Sequence, residues 1–235
     1  MASIFRPGAI AVVTGAASGI GRAVCLRLAQ RGLIVAMADA DADRLAGAAE
    51  EVGQAGAAEV MSRAVDVSAE PAMAALADDV FARFGRCDFL MNNAAVRVAG
   101  GEREDLDEWR RTMEVNFWAA VIAERAFLPR MQSQNAPAAI VNTGSKQGIT
   151  NPPGNLIYNV TKSALKTYTE GMQHILRNTE GCQVTAHLLV PGFTTTGTRS
   201  PQPEAWMPEQ VADRMIAAIE SGDFYIICED GEVTA

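Results

Sequence analysis

The 235-residue chain has room for one large α/β domain or two small ones, and 49% of its residues are apolar. Its formal net charge of −8 argues against a nucleic-acid partner, because phosphate binding requires clustered lysine and arginine. Aromatic residues are sparse while alanine and glycine are plentiful, a mix that suits helices packed closely on a sheet better than a β-sandwich.

Short apolar runs alternate with helical patterns along nearly the whole chain. "AIAVV" (9–13) predicts a first strand and 20–30 a helix; "LIVAMA" (33–38) and 41–52 repeat the unit. A strand in "AAEVMSRAV" (57–65) precedes a helix over 70–84, where Pro71 suits the first turn. "CDFLM" (87–91) is a fourth strand, followed by a long helical region from 106 to about 131 and the strand "AAIVNT" (138–143). The last elements are a helix over 158–177, the strand "QVTAHLLV" (183–190), a helix over 208–221 and the strand "FYIIC" (224–228).

Strands of near-continuous apolar residues require a sheet covered on both faces. Their alternation with helices predicts an α/β fold: a Rossmann-type doubly wound parallel sheet of about seven strands, helices on both faces, in one domain over 1–235. The loop 191–208 is long, and 193–207 within it reads as a substrate lid. Cys25, Cys87, Cys182 and Cys228 are widely spread with no C-x-x-C, so reduced, mostly buried thiols and no metal site are expected. No stretch has the length of a signal peptide core or a membrane span, so a cytoplasmic location without membrane association is expected.

"VVTGAASGIGRAV" (12–24) runs strand, glycine turn, helix. Gly15, Gly19 and Gly21 allow a tight turn, close approach to a pyrophosphate and seating of the helix on the strand, with free helix N–H groups facing the anion. The spacing is G-x-x-x-G-x-G, so it matches the dinucleotide fingerprint in mechanism rather than in letter. Asp39 ends the second strand, where a carboxylate accepts hydrogen bonds from ribose hydroxyls and repels a 2′-phosphate. With no basic residue directly after it, NAD is preferred over NADP; a helix N-cap role for the same residue is compatible with that reading.

These features resemble the short-chain dehydrogenase/reductase superfamily in its compact, single-domain branch. "TGAASGIG" (14–21) resembles the family's cofactor turn, "DV" (66–67) its adenine contact and "NNAA" (92–95) the segment after its fourth strand. "NFWAA" (116–120), "NTGSKQG" (142–148), "YNVTK" (158–162) and "PGFTT" (191–195) follow in the family's order. The resemblance implies an NAD-contact set of Gly15, Ser18, Gly19, Ile20, Gly21, Asp39, Asp66, Val67, Asn93, Ala94, Tyr158, Lys162, Pro191, Gly192, Phe193 and Thr194. It implies a catalytic set of Asn116, Ser145, Tyr158 and Lys162, with Lys162 also binding the nicotinamide ribose and Asn116 holding a water that links the lysine to solvent. It further implies a homodimer or homotetramer assembled through the helices near 106–131 and 157–177, with Trp109, Phe117 and Trp118 packing the first of them. Ala95 stands where the family usually has glycine, which predicts slight crowding of that turn. Lys146 and Gln147 bring polarity beside Ser145, and the segment between Gly192 and Pro208, short for the family, predicts a small lid over an open substrate cleft.

The offset of four puts Tyr158 and Lys162 about one helical turn apart on one face. Lowering a phenol from a pKa near ~10 by about 3 units requires roughly 4 kcal/mol. A cation at ~4 Å supplies about that much at an effective dielectric of ~20. Tyr158 is then general acid in carbonyl reduction and general base in alcohol oxidation, with Ser145 stabilising charge on the substrate oxygen. His174 and His187 have no motif partners, and His187 reads as a satisfied core residue. Arg97, just after the fourth strand, is placed either to reach an acidic substrate group or simply on the surface. The expected activity is NAD-dependent interconversion of a secondary alcohol and a ketone, or reduction of a related carbonyl. A catalytically silent NAD-binding sensor or scaffold is the alternative, and an epimerase or dehydratase ranks last because the chain lacks room for an extra substrate domain.

Overall fold

The computed structural model describes residues 3–97, 105–196 and 204–229. Its first half runs β1 (Ile10–Thr14), α1 (Gly19–Gln30), β2 (Ile34–Asp39), α2 (Ala42–Gln54), β3 (Glu59–Ala64), α3 (Glu70–Phe84) and β4 (Phe89–Asn92). The second half runs α4 (Leu106–Met113), a π-helical turn (Glu114–Trp118), α5 (Ala119–Ser133), β5 (Ala138–Thr143), α6 (Gln147–Thr150), α7 (Leu156–Asn178), β6 (Val184–Val190), α8 (Pro208–Ser221) and β7 (Tyr225–Ile227). The helix over 70–84, the strand over 138–143 and the helix over 208–221 fall on the expected bounds. The region read as one long helix from 106 is instead interrupted by the π turn, and α6 carries too few apolar positions to show a period.

All seven strands are parallel in the order β3-β2-β1-β4-β5-β6-β7, a Rossmann-type doubly wound sheet. Alternate residues along each strand face opposite layers. In β1, Ala11 and Val13 join Leu28, Met37, Phe89 and Met215 in the core under α1 and α8. Ile10 and Val12 face the other way, packing with Leu76, Leu90, Phe127 and Ile140 under α3 and α5. Because both faces are covered, the central strands read as unbroken apolar runs.

Polar groups inside the sheet are bonded in pairs. Asn92 Nδ2 donates to Asn142 Oδ1 at 2.9 Å, and Asn142 Nδ2 donates to Thr169 Oγ1 at 2.9 Å, tying β4, β5 and α7 together. His187 lies buried on β6 as expected: Nδ1 donates to the Asp223 carbonyl at 2.7 Å, so Nε2 accepts from the Thr185 hydroxyl at 2.9 Å. The four cysteines are free, three of them buried. Among the described residues no helix is long and apolar enough to cross a membrane, and no group of His, Cys, Asp or Glu is arranged to hold a metal ion.

Candidate active site

The strand order reverses between β1 and β4, and open α/β sheets bind ligands outside the carboxyl ends of their strands at such a point. A cleft of about 750 Å³ opens there, within the range of about 300–1,000 Å³ usual for cofactor and ligand sites.

At one end the backbone shapes the cleft. Gly15 and Gly19 have φ of +63° and +54°, which side chains other than glycine rarely adopt. A Cβ on Gly15 would lie 2.8 Å from Ala94 Cα, so the turn after β1 sits directly against the segment after β4. Thr14 secures this junction, a role its place in the motif did not signal. Its Oγ1 accepts from the backbone of Asn93 at 3.0 Å and Ala94 at 3.2 Å. Asn93 Nδ2 returns bonds to the carbonyls of Thr14 and Gly15. Ser18 is the N-cap of α1 but makes no side-chain cap, leaving the first helical amides available to an anion.

Asp39 reaches across to this turn: Oδ2 accepts from Ala17 N at 3.0 Å and Oδ1 from Asp41 N at 3.0 Å. The N-cap of α2 is Asp41, which accepts from Arg44 N, so Asp39 does not serve as that cap. Asp66 also borders the cleft; hydrogen bonds from Ser68, the hydroxyl foremost, hold its carboxyl below the usual range. Ile20, Val67, Asn93 and Ala94 line the same space. Gly21 does not reach it. It lies beneath the turn, where a Cβ would come within 2.2 Å of the Gly15 carbonyl oxygen. Ala95 is not among the residues with positive φ, so its backbone conformation does not itself require glycine.

Side chains shape the other end. Ser145, Tyr158, Lys162, Pro191, Gly192, Phe193 and Thr194 all line the cleft, brought together from the ends of β5, α7 and β6. Lys162 is buried, and Nζ donates to the Thr143 carbonyl at 2.7 Å. Burial pulls its pKa down to about 8, so the ammonium is still charged at neutral pH. Nζ lies 5.6 Å from the centroid of the Tyr158 ring. The Arg97 guanidinium covers the same ring at 5.0 Å.

Two local features hold this end in place. Gly148 carries the start of α7 so closely that a Cβ would lie 2.7 Å from the Lys162 carbonyl carbon. Gly144 similarly leaves room for the Leu189 carbonyl, which accepts from Gly144 N at 2.7 Å. The spacing of the motifs signals neither constraint, because both arise from segments distant in sequence.

Asn116 sits in the π turn outside the main cleft. Its Oδ1 accepts from Val96 N at 2.8 Å, and Nδ2 donates to Val96 O at 2.9 Å and to Thr161 Oγ1 at 3.4 Å. It therefore clamps the segment after β4 to the helix bearing Tyr158. It also borders a small void of about 10 Å³ shared with Lys162, near the least volume that holds a water. The expected lid at 193–207 lies in part outside the described residues. Its two ends are joined: Thr195 N donates to Trp206 O at 2.9 Å and Trp206 N to Phe193 O at 2.8 Å.

The residues at the glycine end fit a dinucleotide: positive-φ glycines, uncapped helix amides and a carboxylate at the end of β2 converge on one cleft of sufficient size. Known proteins agree with this geometry. The family model for short chain dehydrogenases matches residues 9–205. The chain is 36% identical over 227 residues to a 1-deoxy-11-beta-hydroxypentalenate dehydrogenase from Streptomyces avermitilis, covering 92% of this chain and 83% of that one. Its fold is similar to that of a short-chain dehydrogenase/reductase from Burkholderia phymatum in complex with NAD, with a TM-score of 0.88, 33% identity and coverage of 94% and 89% of the two chains. A metagenomic short-chain oxidoreductase in complex with NADP is similar at a TM-score of 0.79 and 33% identity, over 92% and 91% of the two chains. The chain belongs to the short-chain dehydrogenase family, whose members bind a nicotinamide cofactor and act as oxidoreductases on hydroxyl groups.

Proposed function

We propose that this chain is an NAD-dependent dehydrogenase interconverting a secondary alcohol and a ketone, with Tyr158 as general acid and base. The observation that carries the reading is the buried Lys162 ammonium beside the Tyr158 ring, in one cleft with Ser145. In the oxidative direction the Tyr158 phenolate takes the hydroxyl proton of the substrate while Ser145 Oγ donates to the same oxygen. In the reductive direction the phenol returns that proton to the carbonyl oxygen. Lys162 favours the phenolate, and its bond to the Thr143 carbonyl keeps the ammonium in position. Bound nicotinamide would exchange the hydrogen and electron pair with the reacting carbon.

NAD rather than NADP is supported by Asp39, whose carboxylate is anchored at the end of β2 and is followed by Ala40 and Asp41 instead of a basic residue. Gly15, Ser18, Gly19, Ile20, Asp66, Val67, Asn93 and Ala94 would hold the adenosine and pyrophosphate side. Pro191, Gly192, Phe193 and Thr194 would border the nicotinamide, and the 193–207 segment would act as lid. Exposed apolar side chains on the π turn and α7, among them Trp118, Val160 and Ile175, support assembly into a homodimer or homotetramer. A cytoplasmic location is part of the same reading.

Replacing Tyr158 by Phe tests the mechanism. Turnover of an accepted alcohol is expected to fall by roughly 10²- to 10⁴-fold with NADH affinity retained. Unchanged turnover would remove Tyr158 from the chemistry.

A further inference from the structure

We infer that the substrate end of the cleft is built to receive an anionic group, so that the alcohol or ketone handled here is a hydroxy acid or keto acid whose carboxylate pairs with Arg97. The inference deepens the proposed function and rests on Tyr158 facing the reacting carbon.

Arg97 is the starting point. Arg22, Arg27, Arg63 and Arg130 each hold a carboxylate at the surface. Among the described residues no carboxylate pairs with Arg97, although it borders the cleft of a chain carrying 28 acidic residues. Its guanidinium instead covers the Tyr158 ring at 5.0 Å. A guanidinium held over a ring can still present N–H donors to a carboxylate in a two-point manner. An anion held there lies within a few ångström of the phenol, which favours a short acid over one whose charge is remote from the reacting carbon.

The charges that follow strand ends along the cleft divide between the two sides of the switch point, while Arg111 of α4 and Glu114 of the π turn also line it. The carboxylates that follow strands, Asp39 and Asp66, come from β2 and β3 on one side of the switch point. Those that follow β4 and β5 are cations, Arg97 and Lys146. Lys146, also lining the cleft, lies over the Phe193 ring at 5.4 Å. Gln147 completes the polar rim: its Oε1 is buried and, among the described residues, has no hydrogen-bond partner, which suits a substrate donor such as a hydroxyl. An all-apolar substrate would leave that acceptor unsatisfied and the Arg97 edge without a counter-charge.

The test is a binding comparison that needs no turnover. β-Hydroxybutyrate and longer hydroxy acids, each beside its methyl ester, are titrated calorimetrically into the wild-type protein and into Arg97→Gln, with an NADH titration of every sample. At least one acid is expected to bind the wild type roughly 10- to 100-fold more tightly than its ester, the range of a charge-assisted hydrogen bond. In Arg97→Gln the acid is expected to fall to the level of the ester. Equal binding of acid and ester, no binding of any acid, or a preference that survives Arg97→Gln would each overturn the inference. The NADH arm separates the two readings. NADH binding without acid preference sinks only the anion subsite; acid preference without NADH binding sinks the proposed function and leaves the subsite standing.

Discussion

At the glycine-turn end of the cleft the backbone does most of the shaping, whereas at the end holding Ser145, Tyr158 and Lys162 side chains from distant segments do it. Gly15, Gly19 and Gly21 lie within seven residues of one another, and what they satisfy is steric and local. Lys162, by contrast, depends on a carbonyl 19 residues earlier and on Gly148 beneath its backbone. The first kind of site is dictated by spacing, and the second by how strands and helices come together.

The largest effect should come from Gly21→Ala. A Cβ only 2.2 Å from the Gly15 carbonyl oxygen has nowhere to move, because the neighbour is backbone. Urea unfolding should show a loss of about 3 kcal/mol or more, with NADH binding abolished. A variant of near-normal stability would break the steric account of this end.

Gly148→Ala is the counterpart at the other end, with a contact of 2.7 Å to Lys162 backbone. A smaller loss, about 1–3 kcal/mol, is expected because α6 is a single short turn that shifts more readily. Turnover should fall further than NADH affinity does, since the displaced group is Lys162. The reverse pattern would show that Gly148 supports the dinucleotide rather than the chemistry.

The smallest effect concerns Lys162 as a buried ammonium. Its pKa is about 8 folded and 10.5 as a free side chain, so between those values the unfolded chain binds the extra proton. Stability of the cofactor-free protein should therefore rise with pH across that window and be flat in this respect below about 8. Lys162→Met should lack that rise, so the wild-type minus variant difference in urea midpoint should grow with pH across the window; parallel curves would mean that the ammonium is not buried in solution.

Much of the fold was readable because both sheet faces are covered, which makes strands such as 138–143 continuous apolar runs. The π turn was not readable. Within it Asn116 bonds Val96 and Thr161, partners 20 and 45 residues away that spacing does not reveal. The glycine turn announced its own geometry, but Gly21 proved to support the turn from below rather than meet the cleft. Asp39 was found by its place at a strand end, yet its bond to Ala17 N, which couples the acid to the turn, has no signature in spacing. For Arg97 the sequence left open an acidic substrate group or the surface, and the Tyr158 ring under its guanidinium is what bears on that choice.

Parallel fluorescence titrations of the protein with NADH and NADPH test the central claim most directly. Asp39 predicts NADH binding at least about 10-fold tighter than NADPH, a difference of roughly 1.4 kcal/mol, and Asp39→Ala should narrow that gap. NADPH binding as tightly as NADH, or more tightly, would contradict the account of this cleft as an NAD site.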